Sequence, residues 1–147
     1  MTLNLPARLQ NEINAHLREA YPNEGAGLLL GSENNGSKQA DRIILFENKF
    51  AADEQRTRYL ITAEDMLQGE IQAEDYQMDV VGIFHSHPDH PAVPSEYDRE
   101  HALPWYTYLI VSVIQGNPGQ ARSWRLAGDR SHFNEEELTV VPSTGPS

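Results

Sequence analysis

One short run, residues 80–85, constrains the fold of this chain more than any other segment. It reads VVGIFH, a mixture of β-branched and aromatic side chains that is typical of a β-strand. The run ends at His85, and a second histidine, His87, follows after one residue. Side chains at positions i and i+2 of an extended chain point to the same face. The sequence therefore predicts a strand that can present two imidazoles to one point.

Helical and strand patterns alternate along the rest of the chain. Apolar residues recur every three or four positions over 5–20, which predicts an amphipathic helix with Pro6 in its first turn. Two further helices are predicted over 62–76 and over 95–102, each with a capping residue at its start. The remaining predicted strands are 24–31, 42–48, 57–61, 106–114 and 122–126, and residues 32–39 are predicted to form a loop.

This order of elements, α-β-β-β-α-β-α-β-β, predicts one α/β domain with a mixed sheet and helices packed on it. We expect the domain to cover 1–141 and the tail over 142–147 to be disordered. No apolar run approaches the roughly 18–20 residues that cross a bilayer. The first residues also lack the basic and apolar regions of a secretory signal. We therefore expect a cytoplasmic location and no membrane partner.

The composition restricts the chemistry that the chain can carry. Its net charge of −11, from 11 basic and 22 acidic residues, disfavours a nucleic-acid partner because an anionic surface repels phosphates. The sequence contains no cysteine, which excludes disulfides, thiolate nucleophiles and cysteine-based zinc sites. Six histidines are present. Any transition-metal site must therefore be built from imidazoles and carboxylates.

His85 and His87 could supply two nitrogen ligands, which is half of a tetrahedral zinc shell. Two half-exposed histidines at the end of a strand need no metal, and for the pair alone this second interpretation is favoured. Asp98 follows His87 by eleven residues and lies one turn into the helix that begins at Ser95. A carboxylate that folds back to the strand end would be a third ligand, leaving a fourth position open for water, as in catalytic zinc sites.

The same tetrapeptide, SEYD from Ser95 to Asp98, also fits a capping box, which requires no metal. For these four residues alone the capping interpretation is favoured, although Ser95 can start a helix and still face a site. Glu24 opens the predicted strand over 24–31. It could be a general base on water at a metal, or a solvated acid at a helix–strand junction, and the sequence supports both equally.

Taken together, these residues resemble the JAMM/MPN+ motif. That motif has a distant glutamate, then His-x-His-Pro, then seven residues to a serine, and an aspartate three positions after the serine. Here the elements are Glu24, HSHP from His85, and Ser95 with Asp98. The resemblance extends from the first helix to about Leu126 and implies a single JAB/MPN domain of the cytidine-deaminase-like type. Such a domain has a mixed, curved β-sheet flanked by helices.

The resemblance also implies a role for each residue. His85, His87 and Asp98 would hold one Zn²⁺ per chain, and Glu24 would be the general acid/base on the metal-bound water. Ser95 would hydrogen-bond at that water or help to hold the oxyanion. Family members that lack the metal ligands serve as scaffolds, whereas this chain keeps all of them. Two further histidines near the motif, His90 and His101, are predicted to be solvated surface residues.

The substrate follows from the resemblance alone. The family hydrolyses amide bonds after the glycine-ending tail of ubiquitin or a ubiquitin-like protein, and this chain is similar to its compact, stand-alone prokaryotic members. Those members trim or release adducts from sulfur-carrier proteins in cysteine, thiamin or molybdopterin metabolism. The expected partner is such a carrier. Compact relatives often have cysteine near the glutamate, where this chain has Gly25 and Ala26.

Two other functions compete with this one. The first is an MPN module that binds ubiquitin-like tails or partner proteins without cleaving them. The second is a DNA-repair branch with a related motif, which usually has asparagine between the histidines and a glycine-containing loop after them. This chain has Ser86 between its histidines, and its net charge of −11 argues against DNA.

Overall fold

The computed structural model describes residues 1–142. In this part of the chain seven strands form one curved sheet that closes into a barrel, in the order β1-β3-β2-β4-β5-β6-β7. The strands are β1 (Thr2–Pro6), β2 (Ala26–Asn34), β3 (Ser37–Phe46), β4 (Asp79–Pro88), β5 (Thr107–Ile114), β6 (Asn117–Leu126) and β7 (Phe133–Val141). The helices are α1 (Ala7–Ala20), α2 (Ala63–Asp75) and α3 (Glu96–His101), with a 3₁₀ turn at Ala52–Glu54.

The sheet is mixed, as the sequence predicts. Strand β1 is parallel to β3 and to β7, and β4 is parallel to β5, whereas the remaining neighbours are antiparallel. Helix α1 packs the buried residues Leu9, Ile13 and Leu17 into one core, which also contains Phe84. A second core contains Leu28, Ile83 and Ile110, and α2 covers it. The predicted α/β domain with helices on the sheet is therefore confirmed.

Helix α2 matches its prediction closely. Thr62 accepts a hydrogen bond from the Asp65 N–H at 3.0 Å, and Asp65 accepts one from the Thr62 N–H at 3.1 Å, which completes a capping box. The helix continues through Gly69. A glycine suits this position because α2 lies very close to β2 there, and a Cβ would clash with the Leu28 side chain. Glycine thus costs some helix propensity but permits the close packing of helix on sheet.

The prediction of a loop over 32–39 is wrong. Strand β2 continues to Asn34 and β3 begins at Ser37, so only two residues connect them. These residues, Asn35 and Gly36, have φ angles of 53° and 83°, which suit the tight turn of a two-residue hairpin. The polar residues on either side form strand because they pair across the hairpin.

The strand predicted over 57–61 is also wrong, since this segment has no regular secondary structure. Its Tyr59 and Ile61 side chains pack against the second core, but its backbone does not join the sheet. The side chain of Asn48 binds two backbone groups of this segment. It donates to the Arg58 carbonyl at 2.9 Å and accepts from the Leu60 N–H at 3.2 Å. The β-propensity of this segment indicates an extended chain, but two of its backbone groups bind a side chain and none binds a strand within residues 1–142.

Two strands were not predicted, β1 and β7. The first helix was expected to begin at residue 5, but Leu3 and Leu5 lie buried in β1 and Pro6 ends that strand just before α1. Strand β7 contains three consecutive glutamates and carries a weak strand pattern. It forms because it pairs with β6 and, in parallel, with β1, from Thr2 opposite Glu137 to Pro6 opposite Val141. This contact between the two ends of the domain closes the barrel.

Within residues 1–142, no helix is long and apolar enough to span a membrane. The disordered tail was predicted over 142–147, and residues 143–147 of it lie outside the described part of the chain. The domain limits of 1–141 stay a prediction.

Candidate metal centre

Strand β4 and helix α3 bring His85, His87 and Asp98 together. Their ligand atoms all lie within 4.8 Å of one another. The Nε2 atoms of the two histidines are 3.2 Å apart, and Asp98 places Oδ2 3.1 Å from His87 Nε2 and Oδ1 3.4 Å from His85 Nε2. All three residues are buried. The alternative of two half-exposed histidines is therefore wrong, because His85 has no exposed surface at all.

The capping box at the start of α3 orients Asp98. Ser95 Oγ accepts a hydrogen bond from the Asp98 N–H at 3.0 Å, and Asp98 Oδ2 accepts one from the Ser95 N–H at 2.9 Å. The same Oδ2 faces His87 Nε2. The capping interpretation and the ligand interpretation of this motif are therefore compatible, because the cap directs the carboxylate toward the two histidines.

The two imidazoles are held in different ways. His87 Nδ1 lies 2.9 Å from the Pro91 carbonyl oxygen, so Nδ1 is the N–H donor and Nε2 keeps its lone pair toward the centre. His85 Nδ1 is buried and has no hydrogen-bond partner among the described residues. Instead, the His85 ring stacks on Tyr59, with ring centroids 4.5 Å apart and planes inclined by 26°. An aromatic ring thus packs against one imidazole, and a hydrogen bond orients the other.

The electrostatics of the cluster favour metal ligation. Burial lowers the pKa of His85 and so favours the neutral imidazole, the form that binds metals. Burial alone would raise the pKa of Asp98, but the two neighbouring imidazoles and the Ser95 N–H stabilise its carboxylate and outweigh burial. The pKa of Asp98 therefore lies well below its usual range. Two imidazoles and one carboxylate fit a divalent transition metal such as zinc.

Glu24 lies just before β2 and is only 4% exposed, so the interpretation as a solvated acid is wrong. Its Oε1 atom is buried without a hydrogen-bond partner among the described residues. Burial raises the pKa of Glu24 to about 9, and the nearby Asp98 charge contributes to the increase. Glu24 also lines a cleft of about 380 Å³ together with His87 and Ser95. The structure thus brings all five motif residues to one place.

The two further histidines near the motif, His90 and His101, are exposed, as predicted. His90 lines the same cleft, and its carbonyl accepts a hydrogen bond from the Ser112 hydroxyl at 2.6 Å. His101 stacks on Tyr97 with ring centroids 4.1 Å apart. Neither belongs to the three-residue cluster found among the described residues.

Three residues at the site were not predicted from the sequence, namely Asn48, Gln55 and Tyr59. Gln55 accepts a hydrogen bond from the Glu24 N–H at 2.6 Å through its carbonyl, and the Asn48 side chain donates to the Glu24 carbonyl at 2.9 Å. Each of these residues looks ordinary in a loop or at a strand end. Their contacts join segments that are distant in the chain, so no local pattern could have identified them.

The fold and the site define a hydrolytic enzyme of the JAMM type: a curved mixed sheet carries a His-His-Asp cluster beside a buried glutamate. The chain matches the family model described as prokaryotic homologs of the JAB domain over residues 6–127, and it belongs to that family. The resemblance derived from the motif is therefore confirmed. The match extends well beyond the motif residues, from the end of β1 to the end of β6.

Named relatives and a solved structure agree with this assignment. The CysO-cysteine peptidase of Mycobacterium tuberculosis is 32% identical over 140 residues, covering 95% of this chain and 91% of the relative. The desampylase of Haloferax volcanii is 34% identical over 115 residues, covering 75% of this chain and 80% of the relative. The solution structure of a protein from Salinibacter ruber has a TM-score of 0.72 and 38% identity, covering 100% of this chain and 95% of that one.

Proposed function

We propose that this chain is a zinc peptidase that hydrolyses the amide bond after the C-terminal tail of a ubiquitin-like sulfur-carrier protein. The observation that carries the proposal is the cluster of His85, His87 and Asp98 beside the unpartnered carboxylate of Glu24. The relatives named CysO-cysteine peptidase and desampylase support the substrate class.

His85, His87 and Asp98 would hold the zinc ion. Three protein ligands would leave a position for solvent or substrate, and zinc held there would supply Lewis acidity and lower the pKa of water to about 7. Asp98 contributes the negative charge of the ligand set, and its capping contacts keep that carboxylate in place. The Pro91 carbonyl keeps His87 in the tautomer whose Nε2 can ligate.

Glu24 would move the proton. Its carboxylate is shielded from solvent and lacks a hydrogen-bond partner among the described residues, so it can take a proton from water and return it to the leaving amine. The pKa of about 9 refers to the centre without a cation, and a nearby divalent charge would favour the ionised form. The same side chain can therefore be a base before the amide bond breaks and an acid as the amine leaves.

Ser95 would stabilise the oxyanion. It is exposed and lines the cleft with Glu24 and His87. Its Oγ accepts from the Asp98 N–H, which leaves the hydroxyl hydrogen free to donate. A fixed donor of this kind favours the charge that develops on the carbonyl oxygen as water attacks.

The segment over 57–61 offers a place for the substrate tail. Asn48 binds the backbone on one side of this segment, at Arg58 and Leu60. Within residues 1–142, the backbone groups of Tyr59 and Ile61 make no hydrogen bond, which leaves them available to an extended peptide. A cavity of about 220 Å³ with an apolar lining lies beside Tyr59 and reaches Asp98. Glycines at the end of the tail would let its backbone approach the centre closely.

The test uses purified, zinc-loaded protein and a ubiquitin-like carrier that bears a peptide extension after its terminal glycine. We expect cleavage after the glycine, loss of cleavage with a chelator, and recovery when zinc is returned. Glu24→Gln should abolish cleavage without releasing zinc, whereas Glu12→Gln, an exposed change on α1, should have no effect. If the zinc-loaded wild type cleaves no extension of any carrier, the peptidase proposal is wrong.

A further inference from the structure

Asn48, two residues after the end of β3, uses the full hydrogen-bonding capacity of its side-chain amide. Its Nδ2 donates to the carbonyls of Glu24 and Arg58, both at 2.9 Å. Its Oδ1 accepts from the N–H groups of Phe50 and Leu60, at 3.0 and 3.2 Å. One half-buried side chain therefore joins three separate backbone segments.

The first of these segments carries Glu24. The Glu24 carbonyl accepts from Asn48 Nδ2, and the Glu24 N–H donates to the Gln55 carbonyl at 2.6 Å. Gln55 is in turn held to Asn48, because its Nε2 donates to the Asn48 carbonyl at 3.2 Å. Asn23 donates to Gln55 Oε1 at 3.3 Å. Neutral amides thus hold the Glu24 backbone on both sides, so its side chain starts from a fixed point.

The second segment carries Tyr59, which lies between the two residues that Asn48 holds, Arg58 and Leu60. Tyr59 stacks on His85, whose Nδ1 has no hydrogen-bond partner among the described residues. Tyr59 therefore supports one face of the His85 ring, and Asn48 holds the backbone on both sides of Tyr59. Through its two donor contacts, Asn48 links the backbone of Glu24 to the segment that carries Tyr59, the ring that stacks on His85.

We propose that Asn48 is a positioning residue for the reaction. It sets the placement of the Glu24 carboxylate relative to the His85 ring and the Tyr59 ring that stacks on it. This inference rests on the proposed peptidase function. A displacement of about 1 Å between reacting groups can cost about 100-fold in rate. An amide that makes four contacts between these segments limits such displacement, whereas a residue that only connects β3 to the following loop would need none of them.

Asn48→Asp is the sharpest variant, because aspartate has the same shape and keeps both acceptor contacts while it loses both donors. The carboxylate would then face two carbonyl oxygens and push the Glu24 and Arg58 backbones away. Asn11→Asp, an exposed change on α1, adds the same charge at a residue that does not line the cleft and is the matched control. In zinc-loaded protein we expect Asn48→Asp to lower kcat by about 10- to 100-fold, with a smaller change in KM.

Zinc content and circular dichroism separate this effect from misfolding. A folded Asn48→Asp protein with one zinc per chain and an unchanged kcat would overturn the proposal. If the variant does not fold, hydrogen exchange in the wild type decides, since the Phe50 and Leu60 amide protons should be strongly protected. Rapid exchange at both amides would equally overturn the proposal. An inactive wild type would contradict the peptidase function instead, and exchange at these amides would still report on the contacts of Asn48.

Discussion

The ring of His85 stacks on the ring of Tyr59, with centroids 4.5 Å apart. His85 is fully buried and lacks a hydrogen bond at Nδ1 within the described chain, while its Nε2 lies 3.2 Å from His87 Nε2 and 3.4 Å from Asp98 Oδ1. The stack therefore supports the face of a ring whose second nitrogen has no partner among the described residues. A metal ligand is usually oriented by a hydrogen bond to its second nitrogen. At His85 the stack on Tyr59, a residue of a segment without regular secondary structure, stands where such a hydrogen bond is expected.

We therefore expect Tyr59→Leu to weaken zinc binding. Losing an outer partner of a metal ligand typically costs about 10- to 100-fold in affinity, and leucine preserves the apolar character of the position. Competition with a chromogenic chelator would measure the change. Tyr76→Leu, an exposed tyrosine that contacts Arg42, is the control and should bind zinc like the wild type. Equal affinities for both variants would show that the stack does not orient His85.

Glu24 predicts an unusual pH dependence for the metal-free protein. Its pKa is about 9 in the folded state and 4.5 ordinarily, so between pH 5 and 8 the folded state holds a proton that the unfolded state has lost. Stability should therefore decrease as the pH rises through this window, by at most about 1.4 kcal/mol per pH unit. The Glu24→Gln protein has no such proton, so as the pH rises its free energy of unfolding should increasingly exceed that of the wild type.

Chemical denaturation of the metal-free proteins at several pH values between 5 and 8 measures this difference. Glu12→Gln, on the exposed face of α1, should follow the wild type at every pH. A constant difference between Glu24→Gln and the wild type would mean that Glu24 ionises normally in the folded protein.

Asp98 can be compared with Asp65, because both residues occupy the third position of a helix that starts with a capping box. Asn replaces the carboxylate with an amide that can still accept from the cap backbone. Asp98→Asn should reduce zinc affinity by more than about 100-fold and abolish cleavage, since it removes the charged ligand. Asp65→Asn should change the free energy of unfolding by about 1 kcal/mol or less and leave zinc content unchanged.

Elemental analysis and denaturation of the two variants provide the comparison. If Asp98→Asn kept one tightly bound zinc per chain, Asp98 would be a capping residue and no ligand.

Ser95 and Thr62 form a second matched pair, because each caps a helix through its side-chain oxygen. Ser95→Ala and Thr62→Ala should each cost about 1 kcal/mol of stability through the lost cap. Only Ser95→Ala should also lower kcat, by about 100- to 1000-fold, because only Ser95 lies in the cleft with Glu24. Steady-state kinetics on zinc-loaded protein would show it, and similar kcat values for the two variants would remove Ser95 from the mechanism.

Much of the fold and the centre could be predicted because the relevant interactions are local. The alternation of side chains along β4 places His85 and His87 on one face, and this depends only on extended geometry. The capping box that orients Asp98 spans four consecutive residues. Helix α2 begins at its predicted cap for the same reason. The sequence by itself thus determined which residues could act as ligands.

Tertiary structure decided the rest, because it depends on contacts between distant segments. Strands β1 and β7 exist because the two ends of the domain pair with each other. Residues 57–61 lie outside the sheet, and the Asn48 side chain binds two of their backbone groups, the Arg58 carbonyl and the Leu60 N–H. Glu24 could equally have been a solvated acid, and only the packing around it excludes water and raises its pKa to about 9. Burial is a property of the assembled barrel, and it converts a common residue into a group suited to proton transfer.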